Sequence, residues 1–427
     1  MSSASAAAGK ARQPEHGRVP AWLHRLESPV TTYYVLLSVT AVLVIIGLIM
    51  VLSASAIVSY KSSDSSYTIF LRQAQFAVVG AIAMTVASRV SVATWKRFAV
   101  PALLGAMALQ LLVFTPLGKS VNGNTNWIAV GPLSIQPSEF AKLGIVLFGA
   151  AVLTRKRKLL GHFKHALVPF VLPFSGLAIL LVLLGHDLGT VIVMSAIVAA
   201  VLYTAGVSWR LFAVGGLGFG LLAAVMILTS ENRLARFDVW LGKDTDPFGA
   251  ARQPLHGRYA LADGGWWGVG LGASREKWQW LSEPHNDFIY AIIGEELGLP
   301  GTLVVLALFA VLALVCYRLV LRTDDLFIRL ATGGVMAWIL VQAIVNIGAV
   351  IGLLPVIGVP LPLVSSGGSS LVTTMLALGM LLSFARREPG CAEALAARPS
   401  VVRRSLAVLP VGRSRGATRG AARGAGR

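Results

Sequence analysis

Apolar residues fall in long runs along this chain, separated by short polar clusters rich in lysine and arginine. The runs lack the period-two alternation of strands, and several reach roughly 18 apolar residues, enough to cross a bilayer as a helix. The pattern predicts ten spans, at residues 34–55, 73–87, 98–114, 140–153, 166–184, 188–205, 211–228, 288–317, 330–353 and 368–384. One long polar stretch, 231–286, breaks the series between the seventh and eighth spans. The expected fold class is all-α, a polytopic membrane protein with a single large extracytoplasmic loop.

Composition agrees. The 427 residues are 56% hydrophobic and 13% charged, too little charge to cover a soluble protein of this size. The net charge of +18 does not mark a nucleic-acid binder, because the basic residues sit between apolar spans and in the tail. With the N-terminus inside, the inner loops collect Arg89, Lys96, Arg97, Arg155–Lys158, Lys164, Arg210, Arg318, Arg322 and Arg329, as the positive-inside rule requires. That places both termini in the cytoplasm of a plasma-membrane protein. Residues 1–30 read as a basic, disordered cytoplasmic arm without the apolar core of a signal peptide. Residues 31–386 form the membrane domain, and 387–427 an Arg-rich disordered tail whose charges suit anionic lipid. Two cysteines, Cys316 and Cys391, are too few and too far apart for a disulfide framework or metal site.

The stretch with most chemistry is Leu281–Gly298, LSEPHNDFIYAIIGEELG, which closes the polar loop and runs straight into an apolar helix. Glu283, His285 and Asp287 fall at the membrane–water boundary, where carboxylates usually face a cavity or serve function. Asp287 has two readings: a capping carboxylate at the helix start, a role open to Asn286 as well, or a partly desolvated general base for a sugar hydroxyl. Under the second reading Ala291 and Gly294 share its face and leave room for a substrate, while Glu283 and His285 tune it. Glu295 and Glu296 lie roughly 12 Å further along the axis and are expected to pair with cations or backbone.

Other polar groups gather at the outer ends of spans. Glu139 and Lys142 share a helix face, so they form either a local ion pair or, with Lys142 facing a cavity, a phosphate contact. Asp187 is expected to cap the helix that follows it, or to line the cavity. The loop arginines Arg252 and Arg258, interleaved with Trp266, Trp267, Trp278 and Trp280, suggest an interfacial platform for a phosphate-bearing headgroup. Ser365–Ser370, with Ser366 and Ser369, follows a Pro-rich turn of re-entrant character. The glycine series at Gly264, Gly265, Gly268, Gly270 and Gly272 follows no strand, which excludes a dinucleotide fold and leaves tight turns and close backbone approach.

Taken together, Ser120-Val-Asn-Gly, Trp127-Ile, Gln136-Pro-Ser-Glu-Phe-Ala-Lys142, Asp187-Leu-Gly-Thr190, Gly268-Val-Gly-Leu-Gly272, His285-Asn-Asp-Phe288, Gly294-Glu-Glu-Leu-Gly298, Gly352–Pro362 and Ser366-Gly-Gly-Ser-Ser370 resemble the SEDS family (shape, elongation, division and sporulation) of bacterial cell-wall synthesis. The likeness spans about 34–384 and is greatest to the division member, with the elongation member as the close alternative. It implies a peptidoglycan glycosyltransferase that polymerises lipid II by inversion, releasing undecaprenyl diphosphate. The expected partners are a class B penicillin-binding protein and other division proteins at the septum, with membrane lipids around it and no nucleic acid. By position, Asp287 is the family's essential aspartate and Glu283 its companion. Glu139, Lys142, Asp187, His285, Arg252, Arg258, Ser366 and Ser369 are the candidate substrate contacts beside them, and no firm cofactor is expected beyond an optional divalent cation (magnesium or manganese). Three positions depart from the family pattern: Asn126 replaces an arginine, Gly185-His186 a Gln-Pro pair, and Ser366 an aromatic residue. A lipid II flippase is the competing reading, disfavoured by the absence of an inverted repeat and by charges at the outer face instead of the midplane.

Overall fold

The computed structural model describes residues 28, 30–121, 124–131, 133–278 and 280–397. The basic arm and most of the tail expected at 1–30 and 387–427 lie outside these residues, as do Asn122 and Gly123. Each expected span coincides with helix: α1 (Thr31–Ser63), α2 (Thr68–Ala87), α3 (Val92–Leu112), α4 (Pro137–Arg155), α5 (Gly176–Leu184), α6 (Leu188–Thr204), α7 (Trp209–Leu228), α10 (Ile289–Arg322), α11 (Leu326–Val350) and α12 (Gly368–Ala385). Two further helices, α8 (Glu231–Trp240) and α9 (Arg252–Gly264), lie within the long loop, and α13 (Cys391–Ala397) follows the last span. Eight of the described helical segments are long and apolar enough to cross a membrane; α6 is shorter.

Helices α4, α11 and α12 form the core. Almost every residue of α4 is buried, because α3, α6 and α11 pack around it. Helix α12 lies against α2, and α10 against α1, α9 and α11. Helix α7 is the opposite case: Leu211 is its sole buried residue, so the remainder of its apolar surface faces outward. Such a helix is stable in lipid and not in water.

The structure differs from the sequence reading in three places. The α3–α4 connection is a small antiparallel sheet, with β2 (Asn124–Val130) central between β1 (Gly118–Val121) and β3 (Leu133–Ile135). Its strands are too short and irregular in pattern to register beside the apolar runs. The segment after α12, read as tail, docks through buried Glu388 and Cys391 before α13. Finally, the eighth span is not one rod. Gly298 sits at φ 66°, ψ −162°, a conformation open to glycine and closed to other residues, and it breaks α10 into 289–297 and 299–322.

Candidate active site

Asp287 stands at the outer mouth of the bundle, immediately before α10. The helix is capped by Phe288 without a side-chain bond, so Asp287 does not serve as its cap. What fixes Asp287 is its backbone. Three consecutive carbonyls each accept a bond from another element: His285 O from Ser366 N (2.9 Å), Asn286 O from Ser365 Oγ (2.6 Å) and Asp287 O from Asn346 Nδ2 (2.8 Å). Asn346 Nδ2 also donates to Val359 O at 2.8 Å, tying the Pro-rich turn to the same point. Ser365 Oγ in addition accepts from Leu361 N at 2.8 Å. Asn346 of α11 and the serines before α12 thus hold the Asp287 segment from behind.

The Asp287 carboxyl itself has no hydrogen-bond partner among the described residues and faces a narrow cleft lined by Asn346, Val356, Ile357 and Gly358. Gly358 sits at φ +72°, a conformation that favours glycine, and a side-chain carbon there would stand in ordinary contact with Oδ2 at 3.5 Å. Burial pushes the Asp287 carboxyl up to about 6, and the negative charge of Glu283 adds to the rise, as does that of Asp187; Arg236 opposes it. His285 is pushed the other way by burial, against the pull of Glu283, and its Nδ1 is buried without a partner. Its Nε2 lies 4.0 Å from Glu283 Oε2, and Glu283 also accepts from Asn286 Nδ2.

Asp187 caps α6, accepting from Thr190 N at 2.9 Å, while Gln136 Nε2 donates to it at 3.1 Å. Burial raises its carboxyl, opposed by Thr190 and Lys142. It therefore takes the capping role, with both carboxylate oxygens engaged by Thr190 and Gln136. Ser369 Oγ accepts from Gln136 N at 3.3 Å and closes the ring of contacts.

Lys142 takes the local reading. Its ammonium, 1% exposed, lies 2.8 Å from Glu139, 3.1 Å from Gln342 Oε1 and 4.9 Å from the Trp338 ring centroid. All its donors are engaged, so it structures the core beneath the site. Lys142→Arg keeps the charge a phosphate contact needs but puts a bulkier head under Trp338. It should lower stability by about 1–3 kcal/mol while leaving the substrate KM unchanged; thermal unfolding in detergent beside steady-state kinetics checks this.

Arg252 and Arg258 are not brought to Asp287. Arg252 Nε donates to Trp280 O and Arg258 Nε to Pro254 O, both on the loop around α9. The cations that do approach are Arg233 and Arg236 on α8, two of the loop cations that sequence reading did not single out. Their i, i+3 spacing on a short helix was the available signal. The face of Ala291 and Gly294, expected to leave space for substrate, is filled: a side-chain carbon at 294 would meet Leu261 Cδ2 of α9 at 2.3 Å. Small residues here let two helices meet closely.

Glu295 and Glu296 pair as expected, and with the loop. Glu295 accepts from Ser274 Oγ (2.6 Å) and Arg275 N (2.5 Å); Glu296 accepts from Lys277 Nζ (3.1 Å) and Ser53 Oγ (2.6 Å). Their main-chain carbonyls, released by the break at Gly298, accept from Val269 N and Gly270 N at 2.9 and 3.0 Å. The glycine series supplies the close approach required, since a side chain at Gly268 (φ +76°) would meet Glu296 O at 2.3 Å. Two of the three departures from the family pattern also meet: Asn126 Nδ2 donates to Gly185 O at 3.2 Å and Asn126 Oδ1 accepts from Gln110 Nε2 at 3.2 Å. The amide occupies the volume a larger residue at 185 would need. A cavity of about 500 Å³ lies elsewhere, between α10 and α11, with apolar walls including Phe309, Ala343 and Ile347.

The protein-family model described as cell cycle protein, FTSW_RODA_SPOVE, matches residues 33–389. The chain is 39% identical over 391 residues to the probable peptidoglycan glycosyltransferase FtsW of Mycobacterium tuberculosis, covering 91% of this chain and 74% of that protein. It is likewise 39% identical over 354 residues to stage V sporulation protein E of Bacillus subtilis, covering 82% of this chain and 96% of that one. Among solved structures, one reported under "Structural coordination of polymerization and crosslinking by a peptidoglycan synthase complex" aligns at TM-score 0.67 and 26% identity, covering 83% of this chain and 97% of the other. The rod shape determining protein RodA of Thermus thermophilus aligns at TM-score 0.61 and 24% identity, over 83% of this chain and 96% of its own, a likeness of fold.

Proposed function

The chain belongs to the FtsW, RodA and SpoVE family of cell cycle proteins, and on that premise we propose how it works. It is a multi-pass membrane peptidoglycan glycosyltransferase of septal wall synthesis, and its substrate is lipid II. Both termini face the cytoplasm, which puts Asp287 on the outer face where the lipid-linked sugars lie. The single observation that carries the catalytic assignment is the Asp287 carboxyl: backbone-clamped, unpartnered among the described residues, and raised to about 6. A base of that strength is ionised at neutral pH yet holds a proton better than an exposed carboxylate.

Asp287 takes the proton of the acceptor sugar's 4-hydroxyl. The oxygen forms its bond to the donor's anomeric carbon while the bond from that carbon to the diphosphate oxygen breaks. Its electron pair leaves on undecaprenyl diphosphate, and one displacement inverts the configuration. Glu283 and His285 hold the segment's polarity, Glu283 by keeping the Asp287 proton affinity high. Among the described residues no three His, Cys, Asp or Glu side chains come together. A magnesium or manganese ion enters this reading as a counter-ion carried on the substrate's diphosphate.

The partner is a class B penicillin-binding protein that cross-links the new strand, in line with the peptidoglycan synthase complex whose fold aligns. The test is lipid II polymerisation by the purified protein with this partner, its transpeptidase serine replaced so that only glycan chains accumulate. Wild type should give glycan ladders. Translocation of lipid II across liposomes without any ladder would overturn the reading in favour of a flippase, and rescue of lateral but not septal growth would reassign it to elongation.

A further inference from the structure

We propose that Arg233 and Arg236 on α8 form the diphosphate-binding pair of the site, gripping the leaving group between the Asp187 and Asp287 sides of the mouth. The proposal deepens the glycosyltransferase reading and rests on it. Arg233 is half-buried and is held by two main-chain carbonyls, Nη1 to Met226 O at 3.0 Å and Nη2 to His186 O at 2.9 Å. The second of these is the residue directly before Asp187. Arg236, one turn further and exposed, reaches Val356 O at 3.5 Å, at the edge of the turn whose Gly358 faces the Asp287 carboxyl. Each guanidinium is thus aimed from the same short helix at one of the two carboxylate-bearing segments.

Neither arginine is neutralised. Among the described residues the ion pairs of this face involve Lys142, Lys243, His256, Lys277 and His285, and no carboxylate pairs with Arg233 or Arg236. A guanidinium carries five N–H donors in a planar fork, and neutral carbonyls engage only one or two of them here. The remaining donors and both full charges are left for an anion. Carboxylates nearby make the empty site tolerable, since the Asp187 charge bears on Arg233 and the Arg236 charge on Asp287. They are too far to occupy the forks.

Two forks about one helical turn apart, Arg233 anchored by two carbonyls and Arg236 exposed beside it, suit the doubly branched oxygens of a diphosphate, and bidentate pairing is what arginine offers over lysine. As the bond to the anomeric carbon breaks, negative charge grows on the bridging and terminal oxygens of that group. Cations already held in place stabilise it without reorganisation. The cations previously favoured for this task do not fit it: Lys142 is sealed under Glu139, Gln342 and Trp338, and Arg258 turns to Pro254.

The experiment measures binding of undecaprenyl diphosphate to the full-length protein in detergent by thermal shift and by inhibition of ladder formation. Arg233→Gln and Arg236→Gln should each weaken binding by about tenfold or more, with unfolding temperature in the absence of ligand unchanged. Arg236→Lys should recover part of the loss. Arg258→Gln, on the neighbouring helix, should bind as wild type. Phosphatidylglycerol should compete poorly; competition equal to the diphosphate would mean a general anionic-lipid patch and overturn the proposal, as would full affinity in both Gln variants. Asp287→Asn, whose turnover is strongly lowered, should still bind. If wild type binds undecaprenyl diphosphate through the two arginines but never polymerises, the pair stands and the polymerase reading fails.

Discussion

Asp287→Asn should lower lipid II polymerisation by about 10²–10⁴-fold, the usual cost of losing a positioned general base. The amide is nearly isosteric, and the side chain makes no hydrogen bond within the described structure, so the fold has nothing to lose. The backbone contacts from Ser366, Ser365 and Asn346 do not depend on the side chain. Wild-type rate should fall as pH drops through about 6, where the carboxyl takes up a proton. The residual rate of the variant should lack that limb.

Stability should move in the opposite sense. The carboxyl is raised from 3.8 to about 6 in the folded protein, so the native state binds the proton more tightly than the unfolded chain. Its contribution to stability is present below the unfolded value and is lost as pH rises through about 6. Above pH 6 the asparagine variant should therefore unfold at a higher temperature than wild type, and the gap should close as pH falls toward 4. A loss of activity with equal or higher stability separates catalysis from folding. A variant that unfolds earlier than wild type at pH 7.5 would argue that Asp287 is structural.

The second large effect is expected at Glu296. Its side chain is buried, 0% exposed, and binds Lys277 Nζ and Ser53 Oγ together. Glu296→Ala leaves the Lys277 ammonium buried without its counter-charge, a change that costs about 3–5 kcal/mol. The loop carrying Ser274–Lys277 would come away from α10 and α1. The measurement is the unfolding temperature of the detergent-solubilised protein, with protease sensitivity of the loop as a local readout. Glu296→Leu combined with Lys277→Met removes both charges and should restore much of the stability, since an apolar pair of similar volume is often neutral or better. If the double variant is no better than the single one, the network of Ser53 and Gly272 around Lys277 matters more than the charge pair.

Much of this was legible in the residues, for physical reasons that can be named. Apolar runs report burial in lipid directly, so the helices were found where the hydropathy placed them. Asp287 stood out because a carboxylate beside a span is costly, and Glu295 and Glu296 for the same reason. Residues whose meaning depends on a distant partner were harder. Whether Lys142 met Glu139 or a phosphate turned on Gln342 and Trp338, some 200 positions away in the chain and unseen in its local pattern. Arg233 and Arg236 did not stand out among the other loop cations, because only the folded loop sets α8 beside Asp187 and Asp287. The helix break was available and missed: Gly298-Leu-Pro300 has a glycine where one helix ends and a proline where the next begins.

That break also acts mechanically. Helices tilt to match the thickness of the surrounding bilayer. The lower segment of α10, 299–322, is roughly 36 Å long, and the upper one, 289–297, adds roughly 13 Å by helical rise. On an unbroken rod, a tilt of about 10° would carry the far end of that extra length sideways by roughly 2 Å, several times the ~0.5 Å tolerance of a working site. The break at Gly298 interrupts that rod, and the loop holds the chain on both sides of it, through Val269 N and Gly270 N to Glu295 O and Glu296 O and through Gly265 O to Leu299 N. A tilt of the lower segment is therefore not passed on whole to the segment that begins beside Asp287.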